Sequence, residues 1–240
     1  MSSIDEAIRA IHERKPRRIV VFTGAGISAD SGIPTFRGEG GLWRNFRAED
    51  LATPEAFRRD PLLVWEWYEW RRELIRNAKP NAAHEAVARL PDAVVVTQNV
   101  DGLHARGGAK DLVELHGNIF RVSCLREGNP RMHEEPYDEL PPRCECGALL
   151  RPGVIWFGEA LPPDAVARTV GAIHNADLML VIGTSGVVYP AAGFVNLHEG
   201  LSIEINPDTS GVSRAITYAI PMRAAEATPA IVEALLEVRS

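Results

Sequence analysis

The feature that most constrains this chain is a short apolar run followed at once by a glycine pattern. Residues 19–22 are β-branched or aromatic throughout, which is typical of a fully buried strand. Residues 24–29 then match the G-x-G-x-x-G/A pattern of a turn that binds a dinucleotide. Gly24 would permit the tight turn, and Gly26 would let the backbone approach a pyrophosphate. The pattern therefore predicts a strand that carries a dinucleotide-binding turn at its carboxyl end.

The residues that follow this turn depart from an ordinary Rossmann unit, in which a full helix and a second strand come next. Pro34 and its neighbours end the helix early, and residues 35–41 read as a glycine-rich loop. A loop of this length directly after a phosphate fingerprint is hard to explain without a ligand. We expect it to cover the ligand, with Arg37 able to reach phosphate or a reacting centre.

Composition narrows the class of protein. Of 240 residues, 45% are hydrophobic and 24% are charged, as in a soluble globular protein with a substantial core. A net charge of -6 argues against a general nucleic-acid surface or a polyanionic membrane surface. The first residues follow a helical pattern without the apolar region of a signal peptide, and no apolar run approaches the roughly 18 residues that span a bilayer. We expect a cytoplasmic protein with no direct nucleic-acid or membrane partner, and a monomer is favoured over an oligomer.

Strand and helix patterns alternate along the rest of the chain, which indicates a parallel sheet with helices on both faces. Strands are predicted at 93–97, 112–115, 154–157, 178–182, 201–205 and 215–219, and helices at 3–14, 54–76 with a turn before Pro61, 81–91, 162–174, from Pro190, and 228–239. The predicted fold class is α/β, with a Rossmann-like domain of residues 1–36, 84–118 and 154–240. A smaller domain would combine a helical insert, 37–83, with a cysteine-bearing insert, 119–153, whose residues 119–150 we expect to be irregular.

Two glycine-containing motifs near the start carry a resemblance to a known family. Gly24-Ala25-Gly26-Ile27-Ser28, followed by Gly32-Ile33-Pro34-x-Phe36-Arg37, resembles the NAD-binding signature of the sirtuins, the NAD-dependent protein lysine deacylases. Later motifs extend the resemblance over nearly the whole chain. It implies NAD as the cofactor, held by Gly24, Ala25, Gly26, Ile27, Ser28, Pro34, Phe36, Arg37, Trp43, Gln98, Asn99, Asp101, Gly183, Thr184, Ser185, Asn206 and Ala224.

The roles within this set follow the motifs. Gln98-Asn99-Val100-Asp101 resembles the sirtuin motif in which Gln98 would bind the ribose hydroxyls, while Asn99 and Asp101 would line the nicotinamide pocket. Residues 183–185, Gly-Thr-Ser, come at the end of a predicted buried strand, where backbone N–H groups and hydroxyls can hold phosphate or ribose oxygens. Asn206 and Ala224 match positions that surround the adenosine in sirtuins.

His116 matches the catalytic histidine of the sirtuins, with Asn99 as the second catalytic residue. A base is needed to activate a ribose hydroxyl toward the acyl group, and an unperturbed histidine has a pKa of about 6.5, near the operating pH. Of the seven histidines, His116 follows a predicted strand inside a matching motif. His104 also follows a strand end and is the second candidate.

The substrate residues are implied by the same resemblance. Residues 154–159 resemble the edge strand on which sirtuins lay the substrate peptide by β-augmentation, through Val154, Trp156, Phe157 and Gly158. Tyr68 and Arg71, three apart on a predicted helix, resemble the pair that holds the distal carboxylate of succinyl and malonyl groups, and the small Ala52 would leave room for it. The alternative is that Arg71 pairs with a glutamate on a solvated helix face.

All three cysteines, Cys124, Cys144 and Cys146, lie in the insert 119–153. Sirtuins carry two Cys-x-x-Cys pairs on a structural zinc module, which implies that these three are ligands of one zinc per chain. The chain departs from that pattern, because Cys124 lacks the second member of its pair and Cys144-Glu145-Cys146 is one residue short. Structural zinc takes four ligands, so Glu127 or His133 is left as the fourth.

The resemblance makes an NAD-dependent protein lysine deacylase the leading function. It would act on acyl-lysine proteins or peptides, both acetylated and succinylated or malonylated, and release nicotinamide and O-acyl-ADP-ribose. Two alternatives remain open. One is mono-ADP-ribosyl transfer to protein, which could use the same NAD site, and the other is an NAD-sensing module without turnover.

Overall fold

The computed structural model describes residues 3–35, 46–186, 190–208, 210–211 and 216–239, with the backbone but not the side chain of Ala192. The strands are β1 (Ile19–Thr23), β2 (Val94–Thr97), β3 (Asp111–Glu114), β4 (Gly117–Cys124), β5 (Pro130–Met132), β6 (Leu150–Val154), β7 (Leu178–Ile182), β8 (Leu201–Ile205) and β9 (Tyr218–Ile220). The helices are α1 (Ile4–Arg14), α2 (Ala48–Leu51), α3 (Pro54–Arg59), α4 (Pro61–Asn77), α5 (Ala82–Ala88), α6 (Leu103–Arg106), α7 (Pro163–Asn175), α8 (Ala191–Phe194) and α9 (Ala224–Glu237).

The larger sheet has six parallel strands in the order β3-β2-β1-β7-β8-β9. The predicted parallel sheet is thereby confirmed. The strand order reverses beside β1, whose neighbours are β2 on one side and β7 on the other. In open α/β sheets, ligands bind outside the carboxyl ends of the strands at such a switch point. The fold therefore presents a crevice where the glycine pattern begins.

Strand β1 is buried on both faces because its apolar side chains alternate between two cores. Ile19 and Val21 pack in the core shared with α1, α5 and α9, whereas Val20 and Phe22 pack in the core shared with α7 and α8. Burial of one such side chain stabilises a fold by about 1.5–3 kcal/mol. The position of the strand end, and with it the following turn, is fixed by this two-sided packing.

The smaller domain has one core of its own, built from the helical insert and the cysteine-bearing insert together. Helix α4 begins at Pro61, and the Asp60 side chain caps it by accepting a hydrogen bond from the N–H of Leu63 at 3.0 Å. The buried Trp65 donates its indole N–H to the carbonyl oxygen of Leu150 at 2.8 Å, which joins α4 to β6. The predicted division at residues 37–83 and 119–153 stays a prediction.

The prediction of irregular structure for residues 119–150 was wrong. β4, β5 and β6 form an antiparallel three-stranded sheet in the order β5-β4-β6. β5 is exposed throughout, and in the second half of β4 the polar Arg121 and Ser123 alternate with buried Val122, so the segment resembles a loop in sequence. Strand β6 also contains Pro152, a residue that argues against a strand from sequence.

Several predicted element boundaries were also wrong. The strand predicted at 154–157 ends at Val154, the last strand spans Tyr218–Ile220 instead of 215–219, and α9 begins four residues before Thr228. Thr228 before a proline resembles a helix start, yet the alanine-rich residues 224–227 continue the helix upstream. None of the helices in the described ranges combines the length and the apolar character that a membrane crossing requires.

Candidate active site

A cleft of about 720 Å³ lies at the carboxyl ends of β1, β2, β7 and β8, with the smaller domain as its opposite wall. A volume of this size is in the range of ligand-binding sites. The structure brings most of the predicted residues together in its lining: Gly24, Ala25, Gly26, Ser28, Ala52, Tyr68, Arg71, Gln98, Asn99, Asp101, His116, Val154, Trp156, Phe157, Gly158, Gly183, Thr184, Ser185, Asn206 and Ala224.

Some predicted residues are not part of this lining. Ile27 is buried in the larger core instead, and Pro34 is not among the lining residues. Three further candidates, Phe36, Arg37 and Trp43, lie outside the described residues. The lining also contains residues that the sequence did not predict. Two of them, Asp30 and Arg223, form an ion pair at 3.0 Å, although they are 193 positions apart in the chain.

The two glycines of the fingerprint have a structural reason in addition to the predicted one, while the predicted approach to a pyrophosphate stays a prediction. A Cβ at Gly26 would lie 2.6 Å from the Cα of Gly183, and one at Gly24 would lie 2.9 Å from the Gly183 carbonyl oxygen. The Gly26 N–H donates to that carbonyl at 2.8 Å. The glycines therefore allow the loops after β1 and β7 to pack backbone against backbone, and the pair of loops forms the floor of the cleft.

Thr184 is the point where three strand-end loops meet. The Gln98 side chain donates to the Thr184 hydroxyl at 3.0 Å, and the Asn206 side chain donates to its carbonyl oxygen at 2.7 Å. Gln98 follows β2 and Asn206 follows β8. Two predicted site residues therefore form hydrogen bonds to a third, Thr184. This mutual bonding fixes the lining of the cleft before any ligand arrives.

A buried polar network lies beside these loops. The Ser28 hydroxyl donates to a carboxylate oxygen of Asp101 at 2.7 Å and accepts from the Asn99 amide at 3.1 Å. The same Asn99 amide group lies 3.1 Å from the Gly24 carbonyl oxygen, which accepts its second N–H. Asp101 also accepts from the N–H of Leu103 at 2.9 Å, so its carboxylate is bonded at both oxygens. Fully bonded networks of this kind hold their members in one arrangement.

The second histidine candidate, His104, is not in the cleft lining. It is 1% exposed, and its Nε2 atom lies 3.0 Å from the Thr23 hydroxyl. Its ring packs edge-on against that of His84 with centroids 4.9 Å apart. Burial lowers the pKa of His104 to about 3 and that of His84 to about 4. Both rings are therefore neutral near pH 7, and His104 has a structural position behind the cleft.

His116 lies between β3 and β4 and contributes to the cleft wall. Its Nδ1 atom lies 2.9 Å from the Gln98 carbonyl oxygen, which can only accept a hydrogen bond. The hydrogen of a neutral ring therefore resides on Nδ1, and Nε2 has a free lone pair. Burial lowers the pKa of His116, which the bond to Gln98 opposes. The ring is consequently suited to accept a proton near neutral pH.

Tyr68 and Arg71 lie in the wall that α4 contributes to the cleft. The Arg71 guanidinium stacks over the Trp67 ring, 4.8 Å from its centroid, and lies 5.8 Å from the centroid of Tyr68. Burial lowers the pKa of Arg71, yet a guanidinium stays charged in proteins. The structure thus has a cation and a phenol side by side in the wall of the cleft, and not on a solvated helix face.

The segment after β6 connects the two walls of the cleft. The N–H of Ile155 donates to the His116 carbonyl oxygen at 2.9 Å, and the N–H of Phe157 donates to the Ala52 carbonyl oxygen at 2.9 Å. Phe157 has a 45% exposed side chain, so it lies at the mouth of the cleft. Of the predicted peptide-binding residues, Val154 ends β6, and Trp156, Phe157 and Gly158 lie in the segment that these two bonds hold between the walls.

The three cysteines cluster with one carboxylate in the smaller domain. Ligand atoms of Cys124, Glu127, Cys144 and Cys146 all lie within 4.8 Å of one another. Cys124 Sγ lies 3.5 Å from Cys146 Sγ, and Cys144 Sγ lies 3.7 Å from a Glu127 carboxylate oxygen. Three thiolates and a carboxylate make a four-coordinate set that suits structural zinc. Of the two predicted fourth ligands, Glu127 belongs to this cluster.

His133, the other predicted fourth ligand, lies elsewhere. Its ring stacks on Tyr137 with centroids 4.2 Å apart, and its carbonyl oxygen accepts a hydrogen bond from Arg72 at 2.6 Å. The His133 ring therefore packs within the insert, and its backbone bonds to α4.

The cleft fits NAD by the chemistry of its lining. Its floor consists of small residues whose backbone is accessible, Gly24 to Gly26 on one loop and Gly183 to Ser185 on the other. The N–H groups of Gly24, Gly26 and Gly183 donate to the carbonyl oxygens of Ile182, Gly183 and Ile205. Other backbone N–H groups of these two loops, at strand ends and at the start of a helical turn, suit phosphate oxygens. Amide and carboxylate side chains at Gln98, Asn99 and Asp101 suit hydroxyl and carboxamide groups.

Comparison with known proteins agrees with this arrangement. The model of the Sir2 family matches residues 24–190. An NAD-dependent protein deacylase of Aquifex aeolicus is 54% identical over 205 residues, which cover 82% of this chain and 86% of that protein. NAD-dependent protein deacylase 2 of Pyrobaculum aerophilum is 51% identical over 225 residues and covers 90% of both chains.

Solved structures agree in fold as well as in sequence. A Sir2 homologue in complex with NAD has a TM-score of 0.91 and 43% identity, covering 98% of this chain and 95% of that chain. A structure described as Sir2, p53 peptide and NAD⁺ has a TM-score of 0.84 and 31% identity, covering 94% and 97%. The match of the family model over more than half of the chain, together with these identities, establishes that the chain belongs to the Sir2 family.

Proposed function

We propose that this chain is an NAD-dependent protein lysine deacylase. The observation that carries the proposal is that one cleft contains both the paired glycine loops and His116 with a free Nε2 lone pair. Relatives that are 54% and 51% identical are named NAD-dependent protein deacylases, which supports the same activity here. The substrates are acyl-lysine proteins or peptides, as the Sir2 structure with a p53 peptide supports.

The residues of the cleft have different roles in the proposed reaction. Bound NAD supplies the nicotinamide leaving group and the ribose that receives the acyl group. The loops around Gly26 and Gly183 would hold the pyrophosphate, and Asn99 and Asp101, both bonded to Ser28, would orient the nicotinamide end. His116 accepts a proton at Nε2 from a hydroxyl group in the cleft, while its bond to Gln98 keeps the ring in the required orientation.

The decisive experiment measures nicotinamide release and peptide deacylation together. Purified protein receives NAD with an acyl-lysine peptide, NAD with the unmodified peptide, or peptide alone. A deacylase releases nicotinamide only when both NAD and the acylated peptide are present, in equal amounts with deacylated peptide. Transfer of labelled ADP-ribose to protein in the absence of acyl-lysine would favour the transferase, and NAD binding without nicotinamide release would favour the sensing module.

A finer proposal concerns the acyl group. Tyr68 and Arg71 recognise the distal carboxylate of succinyl or malonyl lysine, and the small side chain of Ala52 leaves space for it. A carboxylate removed from water needs a partner, and Arg71 offers a charged donor. Hydrogen bonds to charged groups contribute about 1.5–3 kcal/mol each, which corresponds to about ten- to a hundredfold in selectivity.

The test of this acyl preference compares kcat/KM for succinyl- and acetyl-lysine peptides. Arg71→Met should lose activity on the succinyl peptide about ten- to a hundredfold more than on the acetyl peptide. Arg58→Met is the matched control, because Arg58 is an exposed arginine paired with Glu55 on the preceding helix, outside the cleft. Equal losses on both peptides in Arg71→Met would contradict the assignment.

The remaining expectations about partners and compartment stay predictions of the sequence. These are a monomer, a cytoplasmic location and no direct contact with nucleic acid. Light scattering during gel filtration tests the monomer directly.

A further inference from the structure

A hydrogen bond between two buried side chains links the loop after β6 to the wall formed by α4. The indole Nε1 of Trp156 donates to the hydroxyl oxygen of Tyr68 at 3.0 Å. Trp156 is 3% exposed and Tyr68 is 1% exposed, and both line the cleft. The two residues are 88 positions apart in the chain, so the bond depends on the relative position of loop and helix.

The direction of this bond follows from the chemistry of the two groups. An indole N–H is a donor only, whereas a phenol can donate and accept. The Tyr68 oxygen must therefore accept from Trp156, which leaves its own hydrogen for a different acceptor. Within the part of the chain that the structure describes, this is the hydroxyl's one hydrogen bond. Burial raises the pKa of Tyr68 to about 12, so the hydroxyl keeps its proton at physiological pH.

Further contacts fix the position of Trp156. The backbone N–H of Trp156 donates to a Glu159 carboxylate oxygen at 2.8 Å. Arg151 donates two hydrogen bonds to the same carboxylate, at 2.8 and 2.9 Å. The Arg151 guanidinium lies 3.8 Å from the centroid of the Trp156 ring, and Phe57 packs against the ring with centroids 5.1 Å apart. A ring held in this way cannot turn its N–H away from Tyr68.

We propose that Trp156 is a positioning residue for acyl selectivity: by donating to Tyr68, it fixes the phenol as a hydrogen-bond donor toward the distal carboxylate of an acidic acyl group. The inference rests on the proposed deacylase function and on the proposed acidic-acyl preference. A carboxylate only accepts hydrogen bonds, so it requires donors in the wall. Arg71 supplies a charged donor, and the phenol that Trp156 orients supplies a second. A hydrogen bond received by the phenol oxygen also strengthens the one that the phenol donates.

The experiment is a double-mutant cycle of Trp156→Phe, Tyr68→Phe and the combined variant. Two lysine peptides are compared, one succinylated and one butyrylated, because a butyryl group has the chain length of succinyl without the carboxylate. For each variant we measure kcat and KM, and the peptide Kd by fluorescence polarisation as a readout that needs no turnover. Changes in packing alter both peptides alike, so the ratio of the two peptides isolates the effect on the carboxylate.

Trp156→Phe should raise KM and Kd for the succinyl peptide about two- to tenfold more than for the butyryl peptide, the range of one neutral hydrogen bond. In the Tyr68→Phe background, the same substitution should leave the ratio unchanged, since the phenol it acts through is gone. Trp65→Phe is the matched control: it also removes a buried indole donor, but Trp65 bonds to the Leu150 carbonyl outside the cleft lining, so the ratio should not move.

An equal loss on both peptides in Trp156→Phe would overturn the inference. So would the same change of ratio with and without Tyr68, or wild-type protein that binds and turns over both peptides equally. Failure of the proposed function looks different, because no acylated peptide would then release nicotinamide. In that case the Kd ratios alone decide the inference, by the same comparison of the four proteins.

Discussion

The Nδ1 atom of His116 lies 2.9 Å from the main-chain carbonyl oxygen of Gln98, the residue that follows β2. Because a carbonyl oxygen only accepts, this contact settles which ring nitrogen carries the hydrogen in the neutral form. Nε2 is left with its lone pair in a cleft whose opposite walls come from two cores. The backbone of Gln98 thus bonds to the candidate base, and its side chain donates to the Thr184 hydroxyl. The position of His116 is therefore linked to that of the glycine loop after β7.

The first prediction concerns His116 as the base. His116→Ala should lower kcat for deacylation by about 10²–10⁴-fold, the usual effect of removing a general base, while NAD binding measured by calorimetry stays within about threefold. Near-normal turnover in a variant with an unchanged melting temperature would contradict the assignment.

The pH dependence of the wild-type enzyme tests the environment of the same residue. Burial lowers the pKa of His116, so the neutral form that acts as a base persists below the ordinary histidine pKa of about 6.5. The acid limb of kcat/KM should therefore have its midpoint below about pH 6.5. An acid limb with a midpoint above 7 would show that the ring is not the titrating base.

The next prediction uses the contact between the two glycine loops. Gly26→Ala puts a Cβ 2.6 Å from the Gly183 Cα, and backbone cannot move aside as a flexible side chain would. The loops must separate, which should destabilise the fold by about 1–3 kcal/mol in urea unfolding and weaken NAD binding at least tenfold. Gly171→Ala on α7 is the control, because its Cβ meets nothing within 4 Å and removing a helix glycine stabilises by about 0.5–1 kcal/mol.

A feature of this structure could be predicted from the sequence where its cause lies in neighbouring residues of the chain. The buried strands of the large sheet were predictable because their apolar runs reflect burial on both faces, as in β7, Leu178–Ile182. The strand-end residues Gln98, Asn99 and His116 were predictable because they directly follow such runs or match a family motif. The contact of Gly26 with Gly183 was not, because Gly183 lies far away in sequence.

In the smaller domain, elements were missed because their local sequence pattern is not typical of a strand. Its sheet was missed because partly buried polar residues alternate with buried ones in the second half of β4 and because β6 contains Pro152, so neither strand has the continuous apolar run of the strands in the large sheet. The bond from Trp156 to Tyr68 and the ion pair of Asp30 with Arg223 join segments that only the fold brings together. Local pattern predicts elements and their ends, whereas side-chain partners across the cleft require the tertiary structure.

A further prediction concerns the metal. The cluster of three cysteines and Glu127 should hold one zinc per chain, measured by mass spectrometry on protein purified without added metal. Cys124→Ser should lose the zinc, and a chelator should lower the melting temperature, since metal binding contributes to folding. Glu127→Cys should hold zinc more tightly in competition with a chelator, because a fourth thiolate is the softer ligand. If Glu127→Cys and Glu127→Ala bind zinc equally well, Glu127 is not the fourth ligand.

The last prediction concerns the buried pair His84 and His104, whose rings lie 4.9 Å apart. Burial lowers the pKa of His84 to about 4 and that of His104 to about 3. In the unfolded chain both titrate near 6.5, so between about pH 6.5 and 4 the unfolded state binds more protons than the folded state. The contribution of this pair to the free energy of unfolding then falls as the pH is lowered through this window, by up to about 1.4 kcal/mol per pH unit for each histidine.

Urea unfolding at pH 7, 6, 5 and 4.5 measures this slope. His104→Gln removes one of the two titrating groups while keeping a polar side chain beside Thr23, so the slope between pH 6 and 4.5 should decrease by about 1 kcal/mol per pH unit even if the variant is less stable at pH 7. His174→Gln, at the exposed end of α7, is the control, because it makes the same substitution at a position outside this buried pair. A slope in His104→Gln equal to that of the wild type would mean that His104 is already protonated in the folded protein, which the 1% exposure of its side chain and its contact with Thr23 argue against.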